Sequence, residues 1–73
     1  MDNATKQAAI AANLYALRVL LAEALDRATE AENAIKAGEV NQAIGAALGM
    51  DALLQSASAL YTAALTLHRN GRP

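Results

Sequence analysis

Residues 40–67 read VNQAIGAALGMDALLQSASALYTAALTL, and Asp51 is the one charged side chain in these 28 residues. Ala and Leu, the strongest helix formers, dominate the stretch and no Pro interrupts it, so it is expected to be helical. Three zones can be drawn on its surface. A broad apolar arc carries Met50, Leu53, Leu54, Leu60, Tyr61, Leu65 and Leu67. A polar strip carries Asp51, Gln55, Ser58, Thr62 and Thr66. A third line holds only small residues, Gly45, Gly49, Ala52, Ser56, Ala59 and Ala63, at alternating intervals of four and three. Glycine inside a helix costs about 1 kcal/mol relative to Ala, so Gly45 and Gly49 call for a reason. A line of small side chains lets a second backbone approach closely. A single partner helix cannot cover both the large arc and the small line, so the expectation is self-association through this helix. Gly45, Gly49, Ala52, Ser56, Ala59 and Ala63, with Leu53, Leu60 and Tyr61, are the expected interface.

Upstream of this stretch, Gly38 follows Lys36-Ala37 and suits the left-handed position that ends a helix. A first helix is therefore expected over about 4–37, capped by Asp2 or Asn3, with a turn at 38–40. The second helix is expected over about 40–69 and a frayed tail over 70–73. In the first helix Ile10, Leu14, Leu17, Leu21, Ala24, Ala28, Ala31 and Ile35 recur at intervals of four and three. They form an expected contact seam, widened by Leu20 and Leu25. Glu23 with Arg27, and Glu32 with Lys36, are candidate (i, i+4) ion pairs. A turn this short makes the helices antiparallel neighbours. The expected fold is all-α: one domain, a two-helix antiparallel hairpin that self-associates into a four-helix bundle or higher helical oligomer, with a homodimer as the minimal closed form.

The whole chain has 73 residues, 20 of them Ala and 11 Leu, with no Cys, Phe or Trp and a formal net charge of −1. Few β-branched and aromatic residues argue against a sheet. A hydrophobic content of 55% argues against disorder. The absence of Cys removes disulfides and thiolate metal sites. The near-neutral balance argues against a nucleic-acid footprint. Residues 43–67 are long enough to span a bilayer, but Asp51, Gln55 and four hydroxyl residues, with no flanking aromatic belt, argue against a membrane. Met1-Asp2-Asn3 does not resemble the basic start of a signal peptide, and the expected location is the cytoplasm.

Candidate chemistry is sparse. His68 is the single His and has no partner at zinc-ligand spacing. Glu23, Asp26 and Glu30 share a face, but no Glu-x-x-His accompanies them, as di-metal bundles require. No base lies near Ser56 or Ser58. No catalysis, metal or cofactor is expected. Tyr15 and Arg18, one turn apart, could clamp a phosphate-bearing ligand, with Arg69 as a further cation. Asp51 could fix register in a bundle or pair with Arg18 or Arg27.

No stretch identifies a family. In size and shape the chain resembles the plasmid copy-number RNA-binding hairpins, which dimerise into four-helix bundles. The resemblance implies an RNA-reading role for polar residues of the first helix, here Lys6, Asn13, Arg18 and Arg27. Leu67-His68-Arg69-Asn70, closing an Ala- and Leu-rich helix, resembles small phage-encoded hairpins that sequester cyclic nucleotides. The leading expectation is a non-enzymatic interaction or regulatory protein whose partner is itself, or another protein. A nucleotide-binding oligomer, phage- or mobile-element-encoded, and an RNA-binding regulator are the alternatives.

Overall fold

The structure, a computed structural model, describes residues 2–70. It is a helical hairpin without strands among those residues. Helix α1 spans Asn3–Lys36, α2 spans Val40–Leu48 and α3 spans Met50–Asn70. The Asp2 carboxylate accepts from the Thr5 backbone N–H at 2.7 Å and so occupies one of the free donors that begin a helix. That donor holds the Asp2 carboxyl below its ordinary value. At the other end Gly38 takes φ +80°. Its N–H donates to Ile35 O at 3.1 Å, and the Glu39 N–H donates to Ala34 O at 2.9 Å. These two bonds make a Schellman closure, which turns the chain back on itself.

The returning arm was expected to be one uninterrupted helix. It is instead bent at Gly49, whose ψ of −14° departs from helical values while its N–H still reaches Gly45 O at 3.3 Å. Glycine is a usual cause of such a bend, and two of them four residues apart weaken this part of the arm. Helix α3 extends through Asn70; the rest of the tail expected over 70–73 lies outside the described residues. The described hairpin is a rod of 56 × 14 × 12 Å.

Burial repeats every seven residues along the returning arm. Ala43, Ala57 and Ala64 are buried and Met50 half-buried on one line; Ala46, Leu53, Leu60 and Leu67 are half-buried on the other. On α1 the matching residues are Ile10, Asn13, Leu17, Leu20, Ala24, Ala31 and Ala34. Counting outward from the turn at equal rise sets Ala34 level with Ala43, Ala24 with Leu53, and Ile10 with Leu67. The α1 seam therefore differs from the one expected. The Ile10–Leu17–Ala24–Ala31 line packs inward. The other half of the expected seam lies beside the contact, with Leu14 at 48%, Leu21 at 47% and Ile35 at 49% exposure. Leu25, expected to widen the seam, is 66% exposed. The fully buried positions of the seam are all alanines; Ile10, Leu17, Leu20, Leu53, Leu60 and Leu67 cover it in part, and Leu14, Leu21 and Ile35 stand to one flank.

Candidate interaction surface

The core of the hairpin is thin. Among the described residues the fully buried ones are Ala24, Ala34, Ala43, Ala57 and Ala64; no large side chain is fully enclosed and no polar or charged side chain is buried. Eleven large apolar residues stay exposed.

Six of the eleven share one flank. In an antiparallel pair the positions four after the Ile10–Leu17–Ala24–Ala31 line and four after the Ala43–Met50–Ala57–Ala64 line, with its continuation at Lys36, flank the seam on the same side. For α1 these are Leu14, Leu21, Ala28 and Ile35; for the returning arm they are Val40, Ala47, Leu54 and Tyr61. Leu14 is thus level with Tyr61, Leu21 with Leu54, and Ile35 with Val40. No charged residue occurs among these eight. Charges enter only at the outer edges of this flank, as Arg18 and Glu32 along α1 and Asp51 along α3.

The opposite flank has another character. Ala9, Ala16, Glu23 and Glu30 border it on α1; Gln42, Gly49, Ser56 and Ala63 border it on the returning arm. Near the turn it opens into a shallow groove of about 460 Å³ lined by Asp26, Glu30, Asn33, Glu39 and Gln42 among others. The small-residue line expected to be an interface lies on and beside this flank. Gly45, Gly49, Ala52, Ser56 and Ala59 are exposed and Ala63 is half-buried. A methyl group added at Gly45 would meet nothing within 4 Å, and one at Gly49 would meet Ala46 O at 3.3 Å and the Arg27 side chain at 3.9 Å. Of the other expected interface residues, Leu53 and Leu60 are half-buried in the seam within the chain, and Tyr61 stands exposed on the apolar flank.

The candidate ligand residues are divided. The Arg18 guanidinium lies over the Tyr15 ring, 5.2 Å from its centroid, a cation–π contact. Arg69 is level with Ala8, roughly 10 Å along the axis from Tyr15 at 1.5 Å per residue, so one chain does not gather all three. Asp51 accepts from Gln55 Nε2 at 3.3 Å and makes no ion pair among the described residues. Arg27 pairs with Glu30 at 3.9 Å instead of the expected Glu23; Lys36 pairs with Glu32 at 3.5 Å. Both pairs are exposed and contribute little. Of the residues expected to read RNA, Lys6 and Asn13 are half-buried along the seam and Arg27 borders it, while Arg18 stands on the other flank. His68 is exposed.

Both arms carry stretches long and apolar enough to cross a membrane, with mean hydropathy 1.5 in Asn3–Lys36 and 1.3 in Val40–Asn70. The stretch in the first arm is additional to the expected one at 43–67. The signal in the first is Leu14, Leu17, Val19, Leu20, Leu21 and Leu25, whose apolar weight outruns Arg18 and Glu23. The chain matches no protein-family model, and no curated protein or solved structure is significantly similar to it.

Proposed function

We propose that this chain is a non-enzymatic interaction module that works by associating with itself, as a four-helix bundle or a higher helical oligomer, and that its biological effect is exerted by binding from that assembly in an aqueous compartment. The observation that supports this reading is the all-alanine core. Burying large apolar side chains is the main source of folding free energy, about 1.5–3 kcal/mol for each Leu or Ile fully enclosed, and the isolated hairpin encloses none completely. Short chains overcome such a deficit by oligomerising. Native mass spectrometry of the full chain tests the reading, with an expected mass of at least twice the 7.5 kDa subunit. A subunit-mass species at micromolar concentration would overturn it.

A second reading is favoured by the Tyr15–Arg18 stack. An aromatic face with a cation fixed above it is suited to a planar anionic ligand such as a nucleotide, and an oligomer could add Arg69 from a neighbouring copy. A thermal-shift panel of mononucleotides and cyclic dinucleotides tests it. A ligand at 100 times its dissociation constant adds about 2.7 kcal/mol, and Arg18→Ala should abolish that shift.

A further inference from the structure

We propose that the uncharged flank running from Leu14 and Tyr61, through Leu21 and Leu54, to Ile35 and Val40 is the surface on which a second copy of this chain docks. The inference rests on the self-association reading above and specifies its face, which is not the small-residue line. The first support is area. A folded monomer of this mass exposes about 4,200 Å², whereas the hairpin exposes 5188 Å². The excess, about 1,000 Å², is close to the roughly 800 Å² that each partner gives up in a standard interface. The second is layout. The centre of this flank lacks charge, and its outer edges carry Arg18, Glu32 and Asp51 among the exposed apolar Leu25, Ile44 and Leu65, so charge is confined to the rim as in protein interfaces. The third is the charge of the alternative face. Glu23, Asp26 and Glu30 border the small-residue side with Arg27 among them, so two copies pressed together there would oppose like charges. Gly, Ala and Ser side chains would also bury little area in return.

A bilayer is the competing occupant of an apolar flank. A helix lying at a membrane surface carries Lys and Arg on its polar face. Here the far side is of mixed charge, with Glu23, Asp26, Glu30 and Glu39 beside Lys6, Arg27, Lys36 and Arg69, not the cationic face that such a helix presents to lipid, and a second copy is favoured.

The test uses the full chain, which contains no Cys, so one substitution creates a unique thiol. Leu54→Cys and Ser56→Cys place it on opposite flanks two residues apart. The reaction of each with a soluble disulfide reagent is followed at a concentration where the wild type is oligomeric. The expected result is at least tenfold slower reaction at position 54. Leu21→Glu with Leu54→Glu should also reduce the mass to that of one subunit, with helicity checked by circular dichroism. Ala52→Glu, on the other side, should leave the mass unchanged. Equal thiol reactivity, or dissociation by Ala52→Glu alone, would overturn the choice of face while leaving self-association standing. A wild-type chain that is monomeric throughout would overturn the underlying reading as well. Co-sedimentation with phosphatidylcholine vesicles, accompanied by loss of the oligomer, would overturn the second copy as occupant in favour of lipid.

Discussion

The two flanks of this hairpin come from the same two helices and the same turn, yet they differ in kind. One presents Leu14, Leu21, Ile35, Leu54 and Tyr61 with no charge at its centre. The other presents Ala16, Ser56, Gly49, Glu23 and Glu30. Both border one seam of alanines, so the difference does not arise from backbone geometry. It arises from which heptad positions received the large side chains. A closed two-helix unit would place them on the inward lines. Here Lys6 and Asn13 occupy inward positions of α1 and the exposed Arg27 borders the same line, so only Leu17 and Leu20 of its leucines face the seam, while Leu14 and Leu21 stand to one side. The lesson is that an exposed leucine matters little singly, but a line of them level with a second line makes a surface.

The comparison can be broken most severely at the seam that both flanks share. Ala57→Leu puts a large side chain at the most deeply buried alanine of the seam and should cost about 1–3 kcal/mol by overpacking, read from the midpoint of urea unfolding. Ala52→Leu, one flank away and exposed, should change the midpoint little. A comparable loss at position 52 would mean that another helix covers the small-residue side.

Gly38→Ala acts on both flanks equally and serves as a calibration. Nothing obstructs the added methyl group, so the cost is the left-handed backbone alone, about 1–2 kcal/mol. It should lower the thermal midpoint without altering the relative thiol reactivity of the flanks.

Gly45→Ala sharpens the comparison in the opposite direction. The site is exposed and unobstructed, so helix propensity should dominate and stabilise the chain by about 0.8–1 kcal/mol. Destabilisation, measured by the same unfolding midpoint, would reveal a helix backbone approaching the small-residue line.

The smallest effect is expected at the open end of the rod, beyond both flanks. The Asp2 carboxyl is held below the ordinary 3.8 chiefly by the backbone hydrogen bond from Thr5. A folded-state value lower than the unfolded one gives a contribution present above pH 3.8 and lost as the pH falls through the lowered value. The protection factor of the Thr5 amide, its exchange relative to an unstructured peptide at the same pH, should therefore fall on acidification, and Asp2→Asn, which still caps, should remove that pH dependence while retaining protection.

Much of the fold was legible without coordinates because local signals are strong. Ala, Leu and the absence of internal Pro call for helices. Gly38 is the residue that suits the left-handed turn, and its Schellman bonds follow from that conformation. The half-seam Ile10–Leu17–Ala24–Ala31 could also be read. Its companion could not, because the apolar stripe of α1 is wider than one helix contact. Two centre lines fit within such a stripe, one through Leu14 and Leu21 and the other through Asn13 and Leu20. Apolar weighting chooses the first. The close approach of Ala24, Ala34, Ala43, Ala57 and Ala64 selects the second. The Tyr15–Arg18 stack was accessible from spacing, since residues three apart share a helix face. The apolar flank across both helices was not, because its lines are 40 residues apart between Leu14 and Leu54 and meet only after the chain has turned.

The sequence alone therefore determined the helices, the position of the turn and the antiparallel pairing, all consequences of local propensity and of one glycine suited to φ > 0. Only the tertiary structure decided which stripe of each helix faces inward, that the returning arm bends at Gly49, and that the leucines of α1 and α3 join into one surface. Those outcomes depend on how closely two backbones can approach, and a residue pattern along one helix does not contain its partner's shape.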